Sequence, residues 1–83
     1  MTKKSDDINW LSTGVCAAVK SRRLEIALSQ EELSRRSGLH RTYISDVERG
    51  SRNLSLKNLQ RLAEALETRP SDLIALAELQ RNS

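Results

Sequence analysis

The sequence predicts an all-α fold, a compact domain of five short helices, from its length, its composition and the spacing of its apolar residues. The chain has 83 residues, fewer than the roughly 100–200 expected of a domain, so we expect one small core. Leucine is the commonest residue, whereas glycine, proline and phenylalanine are scarce, which favours helix over strand. Apolar residues recur at three- and four-residue intervals, and no segment alternates as a strand does.

The first predicted helix covers residues 13–27. Residues 1–12 precede it as a flexible N-terminal arm and lead-in, because the opening of the chain is polar. From Val15 to Ile26 the apolar residues mark one face of a helix. Cys16 lies among small apolar residues of this helix, so we interpret it as a packed thiol and not as a reactive one.

A glycine turn separates the second predicted helix from the third. Ser29 begins a capping-box pattern with Glu32, which predicts that the second helix covers Gln30–Ser37. Gly38 supplies the left-handed conformation that ends this helix. The third helix is predicted over residues 41–49.

The last two predicted helices also carry start signals. Ser55 caps a helix over residues 56–66, whose apolar stripe begins at Leu56. Pro70 suits the first turn of a fifth helix over residues 70–80, where its missing N–H group is not needed.

These helices form one domain over residues 13–80, with residues 81–83 as a tail. With one cysteine, Cys16, and one histidine, His40, the chain lacks the means for an intramolecular disulfide or a multi-ligand metal site, so no metal or cofactor is expected. The longest apolar run, residues 15–19, is far shorter than the roughly 20 residues of a membrane span. The first residues do not resemble an export leader, so we expect a cytoplasmic protein. No catalytic constellation or glycine-rich phosphate loop is present, and we expect no enzyme activity.

The middle of the chain carries an excess of positive charge. Residues 20–52 contain eight basic side chains against five acidic ones, although the whole chain has a formal charge of only +3. Seven of the eight are arginine, whose planar fork suits phosphates and guanine edges, so double-stranded DNA is a leading candidate partner. On charge alone, an ordinary solvated helical surface remains an alternative.

The segment Ser29 to Gly50, SQEELSRRSGLHRTYISDVERG, has the order of a helix-turn-helix, whose second helix enters a DNA major groove. It resembles the XRE, or Cro and phage-repressor, family of DNA-binding domains. The stretch from Leu39 to Leu56, LHRTYISDVERGSRNLSL, most closely resembles controller proteins of restriction-modification systems. The resemblance implies a compact five-helix phage-repressor-like DNA-binding domain with a central helix-turn-helix.

The third helix offers a face for reading DNA, because burial of Ile44 and Val47 leaves its other side to solvent or DNA. Arg41 is the best candidate for guanine, whose O6 and N7 atoms accept from its fork together. Asp46 repels phosphate, so it is expected to accept from a cytosine or adenine amino group, to hold a nearby arginine, or to reject sequences by repulsion. The predicted base contacts are Arg41, Thr42, Ser45 and Asp46.

Phosphate contacts are expected around this helix, from side chains that can donate to the DNA backbone. The resemblance implies this role for a glutamine at the start of the second helix and for the tyrosine of the third. The predicted backbone contacts are Gln30, Arg35, Tyr43, Arg49, Arg52, Asn53 and Lys57.

Five further positions acquire an interpretation from the resemblance. Arg23 and Glu48 match positions at which phage repressors place a buried ion pair between the first and third helices. Ala27 and Glu67 replace glycines often found in relatives, which implies either a different helix cap or a strained residue. His40 stands at a capping position, where a pH-sensitive role, a phosphate contact and plain exposure remain open.

The fifth helix carries more apolar residues than one core-facing side requires, six of its eleven positions. We therefore predict a symmetric homodimer whose interface includes Leu66, Ile74 and Leu79. The sequence thus predicts a homodimeric regulator on inverted-repeat operators, in the setting of an autoregulatory restriction-modification controller. A generic XRE-type repressor, an antitoxin and a regulator that contacts RNA polymerase remain alternatives.

Overall fold

The computed structural model of the protein describes residues 9–81, which form five helices and no strand. In chain order the helices are α1 (Trp10–Glu25), α2 (Gln30–Ser37), α3 (Arg41–Glu48), α4 (Leu56–Ala65) and α5 (Pro70–Arg81). The all-α prediction is confirmed. Within this part of the chain, no helix is long and apolar enough to cross a membrane.

The ends of the helices differ from the prediction by up to three residues. The first helix begins at Trp10 and not at residue 13, so the predicted lead-in is partly helical. The predicted arm over residues 1–8 lies outside the described residues, as do the last two residues of the predicted tail. Helix α5 continues to Arg81, the first residue of that tail.

The first helix ends at Glu25, two residues earlier than predicted, because Ala27 adopts a left-handed conformation with φ of 54°. Glu67, after α4, does the same with φ of 58°. Both positions are those at which the family resemblance leads us to expect glycine, and here the helices end on strained residues. A left-handed conformation costs an L-residue roughly 1–2 kcal/mol.

Side-chain caps fix the starts of three helices. The Ser29 hydroxyl accepts from the Glu32 N–H at 3.0 Å, and the Ser55 hydroxyl accepts from the Asn58 N–H at 3.1 Å, as the sequence predicts. At the start of α3, the His40 Nδ1 atom accepts from the Thr42 N–H at 3.3 Å, so this exposed histidine is a helix cap. These caps satisfy backbone donors that the helix itself leaves unpaired.

The core lies between the five helices, all of which contribute buried residues, and α1 and α5 make the most extensive contact of any pair. Helices α1 and α5 approach closely at Gly14, where an added Cβ would lie 2.7 Å from the Cβ of Ala77. Leu66 is completely buried, so its predicted place in a dimer interface is wrong. Leu56, predicted as the start of a core-facing stripe, is instead 82% exposed. The largest fully buried side chains are Leu33, Ile44, Leu62, Leu66, Val19, Val47 and Cys16.

Candidate nucleic-acid interface

The turn between α2 and α3 sets the angle of the helix-turn-helix. Gly38 adopts a left-handed conformation, with φ of 77°, and its N–H donates to the Ser34 carbonyl. The Ser34 hydroxyl donates to the carbonyl of Leu39 at 2.6 Å, and the Leu39 N–H donates to the hydroxyl of Ser37 at 3.1 Å. Two serines of α2 therefore hold the N–H and the carbonyl of Leu39, and this fixes where α3 begins.

The face of α3 opposite the core is open at its N-terminal end. Ile44 and Val47 are completely buried, as predicted, which orients the remaining side chains outward. Arg41 and Thr42 are exposed, and within the described residues neither side chain makes a hydrogen bond or an ion pair. Both are therefore available to a ligand without the loss of an internal contact.

Farther along α3, Asp46 joins two arginines. One of its oxygens accepts from Arg49, and the other lies 3.5 Å from the Nε atom of Arg52. Arg49 also donates to the hydroxyl of Ser45 at 2.7 Å. Of the three roles considered for Asp46, the structure therefore shows that it holds nearby arginines. Ser45 and Asp46 are partly buried beneath these contacts.

The loop after α3 is held by three helices. The guanidinium of Arg52 lies over the ring of Tyr43, 5.3 Å from its centroid. The Asn58 amide of α4 donates to the hydroxyl of Tyr43 at 3.0 Å. From α1, the thiol of Cys16 donates to the Arg52 carbonyl at 3.6 Å. This arrangement gives the loop a defined position beside α3.

Two of these supporting residues carried no signal in the sequence. Asn58 reaches Tyr43 only because α4 packs beside α3, and Ser12 of α1 donates to the Asn53 side chain at 3.3 Å across 41 residues of sequence.

Burial raises the pKa of the Cys16 thiol, which keeps it protonated and able to donate. The interpretation of Cys16 as a packed thiol agrees with its 1% exposure.

Arg23 and Glu48 are brought together as the resemblance implies. Arg23 donates from Nε and a terminal nitrogen to the two carboxylate oxygens at 2.7 and 2.9 Å. A third donor of Arg23 meets the Leu28 carbonyl at 2.8 Å. The side chains are 10% and 3% exposed. The hydrogen bonds to Glu48 raise the pKa of Arg23 in spite of its burial, so Arg23 stays charged, and its bonds to Glu48 tie α1 to the end of α3.

Gln30 is partly occupied by this pair. Its amide nitrogen donates to Glu48 at 3.0 Å, which leaves the side-chain oxygen without a hydrogen bond inside the described range 9–81. Gln30 is the first residue of α2, where unpaired backbone N–H groups give the helix end a partial positive charge. The hydrogen bond to Glu48 thus orients the Gln30 side chain at the edge of the α3 surface.

Two of the predicted backbone contacts stand apart from this network. Arg35 is exposed and forms an ion pair with Glu32 on its own helix. Lys57 is exposed in the first turn of α4, and among residues 9–81 it makes no hydrogen bond or ion pair. The structure does not bring either residue into contact with the loop after α3.

An apolar groove of about 180 Å³ lies between α1, α4 and α5. Leu56 projects from it into solvent, Leu11 is 39% exposed, and Ile74 is only half-buried against the core. Leu79, another residue of the predicted dimer interface, is 67% exposed. The residues that line the groove are Leu11, Ser12, Val15, Leu54, Leu56, Leu59 and Ile74.

Residues 19–73 match the model of a helix-turn-helix family. The chain is 53% identical over 47 residues to the control protein C.BamHI of Bacillus amyloliquefaciens, which covers 57% of this chain and 58% of that protein. The chain thus spans about half to three-fifths of the length of the curated relatives that it matches.

Solved structures resemble the chain over more of its length. The restriction-modification controller protein C.AhdI of Aeromonas hydrophila is 43% identical with a TM-score of 0.70, over 74% of this chain and 92% of that one. The controller protein C.Esp1396I, solved as a tetramer in complex with its natural 35 base-pair operator, is 36% identical with a TM-score of 0.81, over 88% of this chain and 96% of that one.

Proposed function

The chain belongs to the XRE-type helix-turn-helix family of restriction-modification controller proteins, and we propose that it is a sequence-specific DNA-binding regulator of transcription in such a system. The genes that it regulates include its own. It acts in the cytoplasm, where bacterial operators lie. A repressing role needs only occupancy of the operator, whereas an activating role adds a contact to RNA polymerase.

The observation that carries this proposal is the division of the α3 surface into two parts. At the N-terminal end, Arg41 and Thr42 are exposed, and their side chains have no partner among residues 9–81. At the other end, Arg49 and Arg52 are held in place by contacts with their neighbours. Free side chains at the start of a reading helix suit base edges, and fixed cations beside it suit the phosphates that flank a major groove.

The proposed base contacts therefore begin with Arg41, which donates in two places to a guanine, and Thr42, which touches a thymine methyl group or a phosphate. Ser45 is a further proposed base contact, whereas Asp46 stays on Arg49 and Arg52 and acts through them. The proposed backbone contacts are Gln30, Arg35, Tyr43, Arg49, Arg52, Asn53 and Lys57.

We further propose that the apolar groove pairs with the same groove of a second copy. Leu56 is 82% exposed, and a leucine in that position gains most from a covering partner. Ile74 lies in the same groove, so this predicted interface residue keeps its role, whereas Leu79 is a candidate for its edge. A two-fold dimer with its reading helices about 34–36 Å apart would recognise an inverted repeat.

A selection from a random pool of 35-base-pair duplexes, followed by footprinting of the winner, tests the function. We expect the wild-type protein to enrich an inverted repeat with half-sites one helical turn apart. The matched comparison is Arg41→Ala, which we expect to lose the preference at one position of each half-site. Failure of the wild type to enrich any sequence would overturn the proposal.

A further inference from the structure

Asp46 lies on the outward face of α3, between two arginines that are themselves exposed. Its carboxylate contacts the guanidinium groups of Arg49 and Arg52, which are 63% and 52% exposed, while its own side chain is only 20% exposed. We call these three side chains the arginine clamp. Its net charge is +1, because the aspartate offsets one of the two arginines. The negative charge of Asp46 therefore lies deeper in the surface than the two positive charges that it contacts.

Each arginine of the clamp has a second anchor besides Asp46. Arg49 donates to the hydroxyl of Ser45 at 2.7 Å, and Arg52 lies over the ring of Tyr43. Arg52 uses its Nε atom for the carboxylate, so both of its terminal nitrogens remain for a ligand. Arg49 uses both terminal nitrogens and keeps Nε. The guanidinium groups are thus fixed in position before any ligand arrives, and each keeps at least one donor.

We propose that Asp46 is a positioning residue that determines specificity: it sets the ratio of operator binding to binding of arbitrary DNA. This rests on the function proposed above. Its negative charge offsets one arginine, which weakens the sequence-independent attraction to any duplex. Its hydrogen bond to Arg49 and its ion pair with Arg52 fix the two arginines where the reading helix, seated in the major groove, meets the phosphates. This favours the one geometry that the operator allows.

The two effects have predictable sizes. Each phosphate neutralised contributes about 0.9 to the salt slope, so loss of the Asp46 charge raises affinity for arbitrary duplexes about eightfold at 0.1 M salt. Immobilising a flexible side chain on binding lowers affinity by about two- to twelvefold. Without the Asp46 carboxylate, both arginines must be immobilised when the operator binds, and this loss of affinity offsets most of the gain in affinity for the operator. The ratio of the two affinities falls by about fivefold or more.

The experiment compares Asp46→Asn with the wild type by fluorescence anisotropy over a series of salt concentrations. The two probes are the 35-base-pair duplex that the wild type selects from a random pool and a shuffled duplex of equal composition. Glu64→Gln, on the C-terminal half of α4, makes the same change in total charge away from the clamp and serves as control. Asp46→Glu keeps the charge and should restore the wild-type salt slope. Thermal melts confirm that each variant is folded.

We expect Asp46→Asn to steepen the salt slope on the shuffled duplex by about one unit, and to lower the affinity ratio relative to both the wild type and Glu64→Gln. Equal rises on both duplexes, or a slope no steeper than that of Glu64→Gln, would overturn the inference while leaving the proposed function standing. A wild type that selects no duplex would overturn both.

Discussion

Replacing Glu48 with alanine removes three hydrogen bonds from the junction of α1, α2 and α3. Two of them join the carboxylate to Arg23 at 2.7 and 2.9 Å, and the third comes from Gln30 at 3.0 Å. In the variant, Arg23 keeps only its hydrogen bond to the Leu28 carbonyl, and its side chain, 10% exposed, holds a charge without a counter-ion.

The loss follows from this geometry. Removing one partner of a buried pair commonly lowers the free energy of unfolding by about 3–5 kcal/mol. The remaining hydrogen bond and the small exposed fraction of Arg23 solvate part of its charge, so we expect the lower end, about 3 kcal/mol. For a domain of this size, such a change lowers Tm by about 12–24 °C. This is a large share of the about 5–15 kcal/mol that stabilises a typical native protein.

Urea titrations and thermal melts measure the effect. The control is Glu64→Ala, which removes an exposed carboxylate of α4 and should alter the free energy of unfolding by about 0.5 kcal/mol or less. The double variant Arg23→Met, Glu48→Leu replaces the pair by apolar side chains and should recover most of the loss. If Glu48→Ala melts within a few degrees of the Glu64→Ala control, then the Arg23 charge is not stranded by the loss of its partner and the reasoning fails.

Three further experiments test the interface, the assembly and the backbone. Arg41→Ala should change base preference at one operator position, whereas Arg52→Ala should weaken all duplexes and lower the salt slope by about one unit, as binding titrations would reveal. Leu56→Glu should yield folded monomers in sedimentation at micromolar concentration, since this side chain is exposed in the single chain; a dimeric variant would exclude the groove. Ala27→Gly should raise the free energy of unfolding by about 0.5–1 kcal/mol by relieving a left-handed alanine, while Ala75→Gly, in the middle of α5, should lower it by about 1 kcal/mol.

The helix-turn-helix is predictable from the sequence alone, because every signal for it is local. The cap at Ser29 and the left-handed glycine at residue 38 act within a few residues of their own positions. The inward spacing of Ile44 and Val47 then fixes which side of α3 faces outward. The exposed Arg41 and Thr42 follow from that spacing, and so they could be named before the structure was known.

Resemblance to a family supplied what local signals do not carry. The pair of Arg23 and Glu48 joins residues 25 positions apart, and nothing in their spacing along the chain links them. The same holds for Ala27 and Glu67, whose left-handed backbone is anticipated only from the glycines that relatives often carry there. Neither residue type predicts a helix end by its own preference.

Packing between helices sets which apolar residues are covered and what supports the loop after α3. Leu56 and Leu66 belong to one periodic stripe of α4, yet Leu56 is 82% exposed and Leu66 is completely buried. Periodicity gives the direction of a helix face, but the packing of neighbouring helices decides how far along its length that face is covered. Asn58 and Ser12 likewise reach the interface only where α4 and α1 lie against it. Such contacts join residues far apart in the chain, and their geometry arises only once the core has formed.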